Sequence, residues 1–434
     1  MSMNKDNPYS LISNEDYQHF SDSIFTLRVF AFVIIIISHS VFVRFFFFLY
    51  LGGFGNALFS ILSGLLLMTS MFKRDKSKNS WKEWYKRRVI RLYPSLIISI
   101  LIIVLVQYIF YRQVYEINII LVHMSGLQAF LMNSLDINLI IAGHHWYITA
   151  LICCYLLFPI FYYLIKKKYK LVLILGVILY ILLLIFNDIF YLGLEHVTFF
   201  FFQREMINIY KRIIPQIFYF NFGMILGYWI GKDNFKNLKI ILNSRKVEFI
   251  SFFLFITSFL LLFISWYFNR MIFSDNFYVS IFNPIAVISF LIFILNFFNK
   301  KSKINKIFKI PGKEAYEVYL LHFVSLTIIN ATVPFLEYNF ILYIINLVLI
   351  ILISLNLAYP VYYFSNWIKR NKKYHSPIII ISLSLIIYSI IYYIFYPVVV
   401  FNIINSIILF LLILSFFTIF LLIKKFQKFY LYKI

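Results

Sequence analysis

The sequence predicts an all-α fold: a polytopic transmembrane helical bundle of about 12 spans, with N- and C-termini cytoplasmic. Three observations carry that prediction. Of the 434 residues, 62% are hydrophobic and 13% charged, and the mean hydropathy is +0.87. Apolar stretches of about twenty residues, the length one helix needs to cross a bilayer, recur along the whole chain. The charge is one-sided. With the N-terminus inside, 34 of the 40 Lys and Arg residues fall on the cytoplasmic side, leaving only Arg44, Arg112, Arg204, Lys211, Arg212 and Arg270 outside. That asymmetry is the positive-inside rule, and it accounts for a net charge of +23 without nucleic acid. No Pro/Gly/Ser-rich linker interrupts the chain, so residues 1–434 read as a single membrane domain.

The expected spans lie near 24–43, 53–71, 92–111, 145–165, 171–187, 214–231, 249–269, 277–298, 314–333, 339–364, 377–396 and 400–423. The first is not a cleavable signal. Residues 1–23 are polar, carry Asp6, Glu15, Asp16 and Asp22, and no small-residue cleavage site follows the apolar run. Inside this span, Arg28 and His39 bracket RVFAFVIIIISH with no charge between them. Eleven helical residues turn through about 1100°, so the two side chains share a face to within roughly 20° and stand roughly 16 Å apart. Ionisable groups in a span tend to face a protein interior or a water-filled path. Equally, Arg28 can snorkel to the inner interface while His39 sits among outer headgroups.

In the second span, SILSGLLL places Ser63 and Gly64 mid-helix, where small residues let another helix approach closely. Before the third, the cytoplasmic segment 72–91 holds nine basic residues against Asp75 and Glu83. RRVIRLYP, Arg87 to Pro94, puts Arg88 and Arg91 three apart on one face, two guanidinium forks suited to phosphate. Plain positive-inside anchoring would place them there too. The outward stretch 112–144 includes a part-apolar run, 117–132, expected to lie as an amphipathic helix at the interface.

HHWYITALICCYLLFP, His144 to Pro159, opens the fourth span from outside. Trp146 and Tyr147 suit an aromatic belt. His144 and His145 fall at the membrane level of His39, and an imidazole exchanges a proton near neutral pH. A polar boundary beside the belt explains them as well. Cys153 and Cys154 point to different faces of a helix, a poor geometry for a disulfide, and read as small core residues. The outward segment 188–213 carries Asp188, Glu195, His196, Arg204, Glu205 and Arg212. In the ninth span, AYEVYLLHF holds Glu317 and His322, five apart and so not on one face. His322 lies deep enough to require an interior partner or a polar cavity.

There is no Walker-type loop, HExxH, CxxC or Gly-x-Ser-x-Gly elbow, and no metal site is expected. Nor is there an internal repeat of the kind that inverted transporter halves show.

Taken in order, these strings resemble the acyltransferase-3 family of integral membrane acyltransferases. The family pattern of an Arg, ten residues and a His in the first helix is matched by Arg28 and His39. An F-x-x-SG-like second helix follows (FSILSGLLL), then R-x-x-R-x-x-P at the start of the third (RVIRLYP from Arg88). A His-x-Trp-Tyr/Phe helix ending in Tyr-x-x-x-Pro corresponds to HHWYITALICCYLLFP. A Gly-Tyr helix (NFGMILGYWIG) and a Tyr-Leu-x-His helix (VYLLHF) complete the set. The resemblance implies a ten-helix core, here about 24–364, with extra C-terminal helices at about 377–423.

It further implies transfer of an acyl group, acetyl by expectation, from cytoplasmic acetyl-CoA as co-substrate to a hydroxyl of an extracytoplasmic polysaccharide or glycolipid. On that basis His39, Arg28 and His145 are the catalytic candidates. Arg87, Arg88 and Arg91 would hold the CoA phosphates; His144, Trp146, Glu195 and Arg204 would face the acceptor. Some branches carry acidic residues shortly after the Trp. Those positions are Thr149, Ala150 and Leu151 here, so any such carboxylate is absent or comes from Asp188, Glu195 or Glu205. The expected partners are acyl-CoA, a surface or lipid-linked glycan, the bilayer and glycan synthase or export machinery. Rich Ile, Phe, Lys and Asn with little Gly and Ala points to a bacterial plasma membrane. The competing reading is a polysaccharide exporter or lipid-linked sugar flippase. It needs charged residues along a central cavity in several helices, and mid-span charge here is chiefly Glu317.

Overall fold

The computed structural model describes residues 14–40, 47–72, 80–130, 141–193, 200–232, 244–272, 277–299, 302–332 and 340–395. Among these the regular structure is helical, with no strand. The helices are α1 (Asn14–Ser40), α2 (Phe47–Phe72), α3 (Trp81–Tyr111), α4 (Ile117–Ser125), α5 (Trp146–Gly193) and α6 (Phe200–Lys232). They continue with α7 (Arg245–Ile272), α8 (Phe277–Asn299), α9 (Ser302–Lys313), α10 (Ala315–Thr332), α11 (Phe340–Arg370) and α12 (His375–Phe395). Eight helices among the described residues are long and apolar enough to cross a membrane, and Phe282–Phe298 is a shorter apolar helix. This is a helical multi-pass membrane bundle. The span expected at 400–423 lies outside the described residues.

The spans expected at 145–165 and 171–187 run as one 48-residue helix, α5, interrupted at Lys168 (φ −147°, ψ 60°). The break falls in KKKYK, where charged side chains separate two apolar arms. The stretch expected as the ninth span forms α10, 18 residues long, which is not among the eight helices long and apolar enough to cross. At the start of α3, Ser80 caps the helix by accepting from the Glu83 backbone N–H at 3.2 Å.

The centre is built on α2 and α6, which cross with almost no space between backbones. A methyl group at Gly64 would lie 2.0 Å from the Phe220 carbonyl oxygen, and one at Gly223 2.0 Å from that of Ile61. In a bilayer, helices associate by such close packing rather than by hydrophobic transfer. Around this crossing α1 packs on α2, α8 and α9, while α10 lies between α3 and α11.

The run at 117–132 departs from the expected interfacial helix. Among its described residues only Ile117–Ser125 is α-helical; Gln128–Phe130 forms a 3-10 turn, and His123, Ser125 and Gln128 are buried. Two of its backbone carbonyls are bonded inward. Tyr93 donates to the Ser125 carbonyl at 2.9 Å, and the Thr149 hydroxyl to that of Gly126 at 2.7 Å. α12 packs against α4 from outside, with the Tyr388 hydroxyl donating to Asn118. The amphipathic surface helix is instead α9. It exposes Ile307 and Ile310, buries Asn305 against Thr26, and pairs Lys309 with Asp22 at 3.0 Å.

Candidate functional site

α1 delivers Arg28 and His39 to two different environments. Arg28 lines a cavity of about 230 Å³ bounded by α1, α2, α3, α5, α10 and the end of α9. Each wall contributes about one residue per turn. α2 supplies Phe59, Ser63, Leu66, Leu67 and Ser70; α5 supplies Tyr147, Leu151 and Tyr155; Lys313, Tyr316 and Tyr319 close the α9–α10 side. Positions 59 to 70 of α2 span about 16 Å at 1.5 Å per residue, so the cavity is a slot running along the helices.

One end of the slot is cationic. Arg28, Arg88, Arg91 and Lys313 all line it, and Arg91 and Lys313 are exposed. The Arg88 guanidinium lies 5.4 Å from the Trp84 ring centroid, an arrangement that holds its fork in place. Glu317 is buried nearby, accepts from the Ser95 hydroxyl at 2.8 Å, and acts electrostatically on Arg91 and Arg28. Ser95 in turn lies 2.7 Å from the Ser365 hydroxyl. Glu317 thus sits behind four cations, with Glu314 buried within electrostatic reach of it.

The other end is aromatic, and beyond it lie the histidines. Phe59, Tyr147 and Tyr319 close the slot. On its far side Tyr319 lies edge-on to His144 at 5.5 Å and tilted against His322 at 5.8 Å. His322 lies 5.2 Å from His39 and 4.4 Å from His144; His144 lies 6.4 Å from His39 and 4.1 Å from His145. Phe323 covers the group, stacked on His144 at 4.2 Å and edge-on to His39 at 5.3 Å. His144, His145 and His322 are 3%, 0% and 0% exposed, whereas His39 is only half-buried and is the reachable imidazole.

Backbone carbonyls set the tautomers. The His145 Nε2 lies 3.2 Å and the His144 Nε2 3.4 Å from the Leu320 oxygen, and the His322 Nδ1 lies 2.6 Å from that of Tyr319. A carbonyl only accepts, so each of these nitrogens carries the proton. The opposite nitrogens, Nδ1 of His144 and His145 and Nε2 of His322, are buried without a hydrogen-bond partner. Each is a bare lone pair, the form that takes a proton. The Tyr319 hydroxyl donates to the His144 carbonyl, tying the slot's last ring to the imidazole group. His123 of α4 is a further buried imidazole that acts electrostatically on His145.

The structure therefore brings Arg28, Arg88 and Arg91 together at one end, and His39, His144 and His145 at the other. His145 joins through His144. Arg87 is exposed and lies off the cavity wall, because it points one residue away from the Arg88/Arg91 face. Trp146 is half-buried outside the imidazole group, with the Arg212 guanidinium 5.9 Å from its ring centroid. Glu195 lies outside the described residues, as do the side chains of Arg204, Asp188 and Glu205.

Sequence reasoning missed His322 as a site residue, although it expected that side chain to find an interior partner. Tyr319 and Tyr316 stand one turn apart below it in the same string, a periodicity that could have found them. Lys313 carried no signal beyond its charge.

The family model described as an acyltransferase domain matches residues 22–363. No curated protein matches, and no solved structure does. The matched range includes every residue of the slot and of the imidazole group.

Proposed function

The chain belongs to the acyltransferase-3 family and is a membrane acyltransferase, and from that premise we propose that its slot takes acetyl-CoA from the cytoplasm. The acceptor is a hydroxyl of a polysaccharide or glycolipid on the other side of a bacterial plasma membrane. One observation supports this above the rest: a single slot has four cations at one end and, past one tyrosine at the other, a group of imidazoles. Phosphates of CoA suit the guanidinium forks of Arg88 and Arg91, with Arg28 and Lys313 beside them. The pantetheine arm runs along the slot and brings the thioester to Tyr319.

At that point His39 takes the acceptor's hydroxyl proton and the alkoxide oxygen attacks the thioester carbonyl. The C–S bond breaks, the acyl group stays on the acceptor, and the thiolate leaves with the proton returned by the imidazole. His144 and His322 flank His39 as enclosed rings that hold it in position. In this reading the cationic end is cytoplasmic, the chain has twelve spans with both termini inside, and the two helices after residue 364 are an addition to a ten-helix core.

The test is mass spectrometry of surface glycan from cells carrying the wild-type, His39→Ala or Arg28→Ala protein, each shown to be inserted. Acetyl groups should be present only with the wild type. Equal acetylation by the His39→Ala protein would overturn the assignment.

A further inference from the structure

We propose that Phe59, Tyr147 and Tyr319 act as a size filter for the acyl group, restricting the donor to short acyl thioesters. The inference rests on the acyl-CoA reading above and adds to it which donors are accepted. All three rings line the slot at its closed end. Tyr147 and Tyr319 meet edge to face at 5.5 Å, Phe59 and Tyr319 at 6.2 Å, and Phe59 and Tyr147 at 6.4 Å. Rings at these spacings touch, so no bore is left between them. A thioester that reaches the imidazoles has to part this collar.

Two of the rings are pinned. The Tyr147 hydroxyl lies 3.2 Å from Ser60, which donates to the Gln216 side chain at 2.7 Å, and the Tyr319 hydroxyl is held on the His144 carbonyl. Phe59 has no such tether and is the ring that yields. Turning it makes room for a two-carbon acyl group. Each further methylene has to displace a tyrosine held by hydrogen bonds.

The experiment measures competition of acetyl-, butyryl-, octanoyl- and succinyl-CoA against labelled acetyl-CoA on the purified full chain. Hydrophobic pockets discriminate a misfitting methylene by about tenfold or more, so butyryl-CoA should bind the wild type at least about tenfold more weakly than acetyl-CoA. Phe59→Ala should bring that ratio close to one. Phe59→Leu, which keeps more of the buried volume, should move it part of the way. Phe290→Leu, at an equally buried phenylalanine in the α1–α8 ring cluster, should leave it where it was. The ratio does not depend on how much protein is folded. Wild-type protein that binds all four equally, or Phe59 variants that keep the wild-type ratio, overturns the filter and leaves the acyl-CoA reading standing. Failure to bind any acyl-CoA ends both.

Discussion

At the cationic end of the site, Arg91 and Lys313 are exposed and four positive charges lie against the buried Glu317, with Glu314 also buried and acting on it. At the imidazole end, three of four rings are enclosed, each held by a backbone carbonyl and each left with one bare nitrogen. The first is a wet electrostatic surface, where attraction is screened and shared among several groups. The second is dry and rigid, where the position of one proton decides what a ring does. In the proposed function, binding and chemistry fall to opposite ends of one slot. Substitutions at the two ends should separate in kinetics accordingly.

The largest separation is expected for His39→Ala. Loss of a general base costs about a hundredfold or more in kcat, while equilibrium binding of acetyl-CoA should stay within about twofold; a parallel fall in binding would mean the ends are not separate. Next comes the Arg88→Ala/Arg91→Ala pair. Hydrogen bonds to charged groups contribute about 1.5–3 kcal/mol each, so KM for acetyl-CoA should rise at least about tenfold with little change in kcat. The salt dependence of KM should flatten at the same time, since two of the screened charges are gone.

Tyr319→Phe is a smaller change at the junction. The ring stays and one hydrogen bond is lost, worth about 1 kcal/mol, so kcat should drop about fivefold as the His144 backbone loosens. A rise in KM of the same size, seen by steady-state kinetics, would instead place Tyr319 in donor binding alone. The smallest effect belongs to Glu317→Gln. Removing the carboxylate behind the cations should tighten acetyl-CoA binding about twofold at low salt and not at all at high salt. Weaker binding would show that Glu317 holds the guanidiniums in position rather than offsetting their charge.

Particular residues show how far the site could be read in advance. Arg28 and His39 share a face because the α-helix has 3.6 residues per turn, a property of the chain alone. Arg88 and Arg91 line the slot together, and Arg87 does not, for the same reason. Gly64 suggested a close helix approach, and α6 supplies it through Gly223. By contrast, nothing within YLLHF says that His322 would lie 5.2 Å from His39, some 280 positions earlier. Nor does the 117–132 run reveal that its polar residues turn inward beneath α12.

By itself, then, the sequence determined the helical membrane class and the faces of the individual helices. Each of these is local: apolar length and helical periodicity. Only the tertiary structure decided which face meets which. It set α10 beside α1, made one slot from six helices, and tied Tyr319 to His144. The reason is physical. Inside a bilayer, helix neighbours are chosen by close packing and by polar groups finding partners, and neither is written within a single apolar helix.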